Sequence, residues 1–216
     1  MEKQRTLANR LICYFVGLFI MTIGIALSVK SDLGVSPVSS IPYTLTVCWG
    51  VEMGKATILF HCVLIIIQIL ILRKNFKLKS LLQLPVGIVF GYFTTFCNSL
   101  AEKLPATDNY FLRIVMILIS VVLVAIGIFM YLPADIMSLA GEGVMQAVAD
   151  TLKTEFSRIK VAFDVTMVII SLATCLIVMH TMGSVGIGTV IAALLVGVVI
   201  GWIKKLWAKR SNPSRT

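Results

Sequence analysis

A few polar side chains stand in a chain that is otherwise apolar, and their types limit the chemistry available. Ser36, Ser39 and Ser40 fall in the run SPVSSIPYTL, at the expected start of a short helix. A helix start carries unpaired N–H groups and the positive end of the peptide dipole, so it favours an anionic group such as carboxylate or phosphate. The serines would present hydroxyls to a polar solute there. The competing reading is a proline–serine turn that only redirects the chain. Glu142, Gln146 and Asp150 are spaced i, i+4, i+8 and would share one face of a helix. That face would line an aqueous vestibule, with Glu142 and Gln146 contacting solute, or it is the wet side of an interfacial helix.

Asp164 and His61 stand inside long apolar runs. Burying a carboxylate in a membrane is costly without a partner, so an intramembrane acid is a functional candidate by default. A histidine, with an ordinary pKa of about 6.5, suits a proton relay. The two are expected to carry or sense a coupling proton; an ion pair of Asp164 with Lys160 or Arg158 is the structural alternative. Gln68 and Asn98 read as hydrogen bonds between helices.

Other chemistries lack their motifs. Neither G-x-x-x-x-G-K-[ST], a strand-linked G-x-G-x-x-G nor H-E-x-x-H occurs, and no nucleophile–base pattern is visible. Neither ATP-driven pumping nor an intramembrane enzyme is expected. Cys13, Cys48, Cys62, Cys97 and Cys175 lie in apolar runs without a C-x-x-C spacing and read as buried thiols. No metal or cofactor is expected.

The elements that must position these residues follow from composition. The chain has 216 residues, 58% hydrophobic and 13% charged, with a mean hydropathy of +0.98. Soluble domains carry about 45–50% apolar and about 25% charged residues. A multi-pass membrane protein is the class that remains. The net charge of +9 does not point to nucleic acid, because its sources cluster at the ends of apolar runs. Of 19 Lys and Arg, three fall in residues 1–10, four in Arg73–Lys79 and five from Lys204 onward. Such clusters mark cytoplasmic loops.

Six stretches, approximately 11–29, 56–73, 80–99, 111–132, 159–179 and 184–203, approach the roughly 20 residues that a spanning helix needs. The first is longer than a usual signal core and reads as an uncleaved span. Two shorter segments remain, Ser36–Gly50 and Ser138–Leu152. As helices they would reach about 22 Å of a hydrocarbon core roughly 30 Å thick, so half-membrane or re-entrant helices are expected. Trp49, Trp202 and Trp207 suit interfacial anchoring.

The chain also matches itself. A shift of 103 residues sets Ile23-Gly24-Ile25 on Ile126-Gly127-Ile128, Asp32 on Asp135, Glu52 on Glu155 and Lys55 on Arg158. It also sets Phe60 on Phe163, and His61 on Asp164. Each half ends in a G-x-x-x-G helix, with Gly87/Gly91 and Gly197/Gly201. Two halves, 1–105 and 106–216, are therefore expected. Three spans in each would make an inverted repeat, and four a parallel one. The tight loop RKNFKLK at Arg73–Lys79 is cytoplasmic only in the six-span arrangement with a cytoplasmic N-terminus, which is the one preferred.

In these features the sequence resembles the YczE/YitT-like group of uncharacterised bacterial membrane proteins. The resemblance rests on GLFIMTIGIAL from Gly17 and DLGVSP from Asp32 in the first half. In the second half it rests on GEGV from Gly141, KVAFDV from Lys160 and GIGT from Gly186. It implies a permease-like inner-membrane protein with no established substrate. The expectation is thus an all-α integral membrane protein of six long helices and two short ones, in two inverted repeats of three spans. It would be a small secondary permease for a small polar solute, in a bacterial inner membrane with both termini cytoplasmic. The alternative is a non-transporting scaffold or accessory partner of a separate complex. The glycine faces offer a homodimer contact.

Overall fold

The computed structural model describes residues 6–105, 108–134 and 136–211. Asp135, Lys3, Arg5 and Arg215, together with the side chains of Lys204, Lys209 and Arg210, lie outside the described part. All regular structure among the described residues is helical. The α-helices are α1 (Leu7–Ser31), α2 (Pro37–Trp49), α3 (Met53–Leu72), α4 (Gln83–Glu102), α5 (Tyr110–Tyr131), α6 (Ala140–Leu152), α7 (Phe156–Met179) and α8 (Ile187–Ser211). Six of them, all but α2 and α6, are long and apolar enough to cross a membrane. The two short helices have 13 residues each, about 20 Å of rise, which is less than the roughly 30 Å hydrocarbon core. Each end of α6 lies 103 residues beyond the matching end of α2.

Local sequence explains the breaks. Pro37 opens α2, where its fixed φ suits a helix and its missing N–H costs nothing, and it holds Ser36 extended at φ −58°, ψ 150°. Gly50 closes the helix in the left-handed region at φ 67°. Between α1 and α2 the chain turns through Gly34 at φ 97°, against the backbone of Gly186, where no Cβ fits. The Gly188 N–H then bonds the Leu33 carbonyl at 2.7 Å, tying this turn to the start of α8.

Helix directions show which segments cross. The rings of Phe19 and Phe93 meet at 5.2 Å, and Thr22 Oγ1 lies 3.3 Å from Cys97 Sγ. Lys30 Nζ reaches the Glu102 carbonyl at 3.4 Å. Contacts that advance together make α1 and α4 parallel. Gly54 meets Gly91, His61 meets Gly87 and Gln68 bonds Gln83, so α3 runs against α4. A crossing by α2 would have reversed α4 relative to α1, so α2 does not cross.

The longest contact joins α1 and α5. A Cβ added at Gly17 would lie 2.9 Å from the Gly127 carbonyl oxygen, and one at Gly24 would lie 2.9 Å from that of Ser120. Contacts that advance on α1 retreat on α5, so the pair is antiparallel. Around it, α4 packs on α1 and α8 on α5, α2 packs on α7 and α6 on α3. Tyr14, Leu18, Met21 and Ile25 join Val124 and Tyr131 in the main core.

The two G-x-x-x-G motifs fare differently. Gly87 and Gly91 let α4 approach His61, Gly54 and Ile58 of α3 within the chain. Among the described residues, nothing lies within 4 Å of a Cβ at Gly197 or Gly201. Trp49, Trp202 and Trp207 are exposed.

Candidate functional site

The amino ends of α2 and α6 meet inside the bundle. A Cβ added at Gly141 would lie 3.7 Å from Val38 Cγ1, and Val38 and Ile41 pack with Ala140 and Val144. Two groups of polar side chains flank this meeting point.

The first lies at the start of α2. Ser36 Oγ donates to Ser39 Oγ at 3.0 Å, and Ser28 Oγ donates to the Gly34 carbonyl at 3.1 Å. Together with Ser120 of α5 they line a cavity closed by Ile25, Val124 and Val196. Its volume is about 10 Å³ for the centre of a water-sized sphere, room for one oxygen-sized group. Ser36 is the N-cap residue of α2, yet its hydroxyl does not cap the helix.

Ser40 is turned away from its neighbours, because successive helical residues point about 100° apart. Its hydroxyl donates to the Pro37 carbonyl at 2.6 Å and accepts from Ser171 Oγ of α7 at 2.8 Å. Thr44 Oγ1 and Ser184 Oγ, 2.6 Å apart, extend this second seam to the connection between α7 and α8. The expected serine cluster is thus divided between a cavity and a helix contact.

The other group lies at the start of α6. Glu142 bends back so that Oε2 accepts the Leu139 N–H at 2.9 Å, while Oε1 accepts the phenol of Tyr131. Tyr14 packs its ring edge against Tyr131 and donates to the Met137 carbonyl at 2.8 Å. Beside Gly143, Gln68 Nε2 donates to Gln83 Oε1 at 2.8 Å and to the Ala140 carbonyl at 3.2 Å. Gln68 is therefore the expected interhelical bond. Asn98 is not: its Nδ2 donates to Thr94 one turn back on the same helix, at 2.9 Å.

Glu142, Gln146 and Asp150 do not act as one face. Gln146 is exposed and donates to Asp150 Oδ1 at 2.7 Å, while Glu142 faces inward. Glu142 sits in the first helical turn, where its carboxylate reaches back to the free Leu139 N–H instead of lying along the helix.

Asp164 and His61 are not joined by any hydrogen bond or ion pair. Asp164 Oδ2 takes the Lys160 ammonium at 2.6 Å, and Lys160 also acts electrostatically on Glu142. The His61 ring stacks on Phe90 with centroids 5.7 Å apart. Even so, the two share a feature. Among the described residues, the fully enclosed side-chain atoms without a hydrogen-bond partner are His61 Nδ1 and Asp164 Oδ1.

A family model described as a family of unknown function, DUF6198, matches residues 8–205. The chain belongs to the DUF6198 family. Among its relatives is the uncharacterized membrane protein YczE of Bacillus subtilis (strain 168), 24% identical over 91% of this chain and 86% of that protein. The uncharacterized protein YyaS of the same organism is 26% identical over 87% of this chain and 88% of its own length. No solved structure matches. The YczE-like resemblance read from the sequence holds, and this DUF6198 protein is a multi-pass membrane protein.

Several polar residues of this DUF6198 chain escape a reading by motif. Ser28, Ser120, Tyr14, Tyr131 and Gln83 sit singly in apolar runs, as residues that merely pack also do. Their signal is positional: Ser28 and Tyr131 stand 103 residues apart, as do Ser39 and Glu142.

Proposed function

We propose that residues 1–105 and 106–216 are an inverted duplication and that the protein is a small secondary permease for a small polar solute. The observation that carries this reading is the nearness of Val38 to Gly141, two positions 103 residues apart, where a Cβ added at Gly141 would lie 3.7 Å from Val38 Cγ1. A residue lies beside its own counterpart only near an axis relating the two halves. The α1–α5 contact agrees, because Gly17 meets the counterpart of Gly24 and Gly24 meets the counterpart of Gly17. Two short helices with amino ends meeting at such an axis are a recurrent way of building a solute site in a membrane.

In this reading Ser36, Ser39 and Glu142 face the pathway. Asp164 and His61, with their unpartnered enclosed atoms at counterpart positions, carry or sense the coupling proton. Ser40 and Gln146 contribute only if α2 and α6 rotate during transport. The protein is not an enzyme, and it lies in a bacterial inner membrane with both termini cytoplasmic, since the Arg73–Lys79 cluster joins α3 to α4 on the side where α1 begins.

The test is solute flux into proteoliposomes across a broad panel of small metabolites, with and without a pH gradient. The expected result is uptake of at least one solute that Asp164→Asn uncouples from the gradient. A panel without flux, or flux indifferent to Asp164→Asn and His61→Gln, overturns the permease or its coupling respectively. The second reading, a scaffold or a homodimer, is favoured by the open α8 face at Gly197 and Gly201. Its mark would be a complex of fixed size that bulky substitutions on that face disrupt.

A further inference from the structure

The connections at the two ends of the bundle differ in how they meet. At one end, those following α1 and α7 touch: the Val35 N–H bonds the Ser184 carbonyl at 3.4 Å, and Gly34 lies against the backbone of Gly186. Shifted by 103 residues, Val35 and Ser184 become Ser138 and Leu81, and no hydrogen bond joins that pair. The connections following α3 and α5 instead leave a cleft between them, with about 300 Å³ of room for the centre of a water-sized sphere. Lys77, Lys79 and Ser80 line it on one side, and Leu132, Ile136 and Ser138 on the other. Both walls are held by the chain itself. The Ser80 N–H bonds the Lys77 carbonyl at 2.8 Å in the 3-10 turn Leu78–Leu82. Opposite, Arg10 donates to the Ala134 carbonyl at 2.9 Å and Tyr14 to that of Met137 at 2.8 Å.

We infer that this cleft binds the phosphodiester headgroup of an anionic phospholipid. Its polar groups are available: among the described residues neither Lys77 nor Lys79 makes an ion pair, and the hydroxyls of Ser80 and Ser138 make no hydrogen bond. No lining residue is acidic. Two ammonium groups and two hydroxyls suit the oxygens of a phosphate, which lysine holds as a point charge. The room is that of a small-molecule site. Lysines that only set the orientation of the chain would need neither a cleft nor a hydroxyl on the facing wall. A lipid is favoured over a soluble phosphate by position and by apolar neighbours. The turn joins two spanning helices and so lies at the membrane surface. Leu78 and Leu82 of that turn and Leu132 of the facing wall are exposed, as acyl chains require. The inference stands apart from the permease reading, since such a lipid would tether the two connections whether or not solute crosses.

The experiment titrates the full chain, delipidated in a non-ionic detergent, with phosphatidylglycerol and with phosphatidylcholine, and counts bound lipid by native mass spectrometry. A second series adds glycerol 1-phosphate as a competitor. Phosphatidylglycerol is expected to bind at concentrations where phosphatidylcholine does not, and an equal concentration of glycerol 1-phosphate should not displace it. Lys77→Gln and Lys79→Gln should each weaken binding about fivefold, the effect of one basic residue at a membrane surface. Ser80→Ala combined with Ser138→Ala should weaken it about tenfold, the scale of a hydrogen bond to a charged group. Lys74→Gln, in the same connection but outside the cleft, should bind as the parent does. All these variants should melt with the parent when no lipid is added.

Equal binding of the two lipids overturns the proposal, as does phosphatidylglycerol binding untouched by Lys77→Gln and Lys79→Gln. A loss at Lys74→Gln as large as that at Lys77→Gln overturns it too, because the attraction would then be spread over the surface. Displacement by an equal concentration of glycerol 1-phosphate overturns the lipid assignment in favour of a soluble phosphate ester. Selective binding of phosphatidylglycerol without any solute flux upholds this inference and leaves the permease reading to fail alone.

Discussion

Tyr131 at the end of α5 donates its phenolic hydrogen to Glu142 in the first turn of α6, across the connection between the two helices. The bond gives the Glu142 carboxylate its second donor after Leu139 and brings the start of the short helix against the core pair of Tyr14 and Tyr131. Tyr131→Phe should therefore destabilise the protein by about 1–3 kcal/mol, the cost of leaving a buried acceptor short of a partner. Glu142→Gln should destabilise it less than Tyr131→Phe, because the amide oxygen can still accept the Leu139 N–H while the phenol turns to accept from the amide NH₂. Thermal unfolding in detergent checks both; unchanged melting for Tyr131→Phe would show that the phenol is not holding the carboxylate.

The glycines separate into those that helices close upon and those left open. Leucine at Gly127, where a Cβ would meet the Gly17 carbonyl oxygen at 2.6 Å, should part α1 from α5 and abolish the folded species. Leucine at Gly197 or Gly201 should leave the melting temperature of the monomer unchanged. Size-exclusion profiles and melting curves of the three variants provide the comparison.

The thiols of Cys48 and Cys175 lie 4.0 Å apart, across the contact between α2 and α7. Mild oxidation should join them within one chain, since a disulfide needs the sulfurs at about 2.05 Å and a small shift of either helix supplies the difference. Peptide mapping by mass spectrometry should recover the 48–175 link. Recovery of other pairings in its place would show α2 packed elsewhere.

Glu52, just before α3, has its carboxyl held below the usual range by the hydroxyl of Thr95 and then by Lys55 at 3.1 Å. A carboxyl lowered in the folded state adds stability above its unfolded value, about 4.3, and loses it as pH falls through the folded value. Glu52→Gln should therefore melt slightly below the parent at pH 7, and the gap should close below about pH 4. Since the pair is exposed the effect is small, and a gap that widens on acidification would reverse the sign argued here.

Sequence alone sufficed for the membrane class, the six long helices and the two short ones. Apolar runs of spanning length are written locally, and Pro37 and Gly50 end segments by the shape of their own backbone. The 103-residue offset was legible as well, and α2 and α6 obey it at both ends. Which polar residues meet was not. Ser36, Ser39 and Ser40 are neighbours in sequence, yet Ser40 serves a contact with Ser171 while Ser39 lines a cavity with Ser120. Glu142 left the face it shares with Gln146 because a tyrosine of another helix and a backbone N–H lay within its reach. Helix formation is settled by bonds between near neighbours, but the direction of a polar side chain in an apolar interior is settled by the nearest donor or acceptor. Only the packing of distant helices supplies that partner.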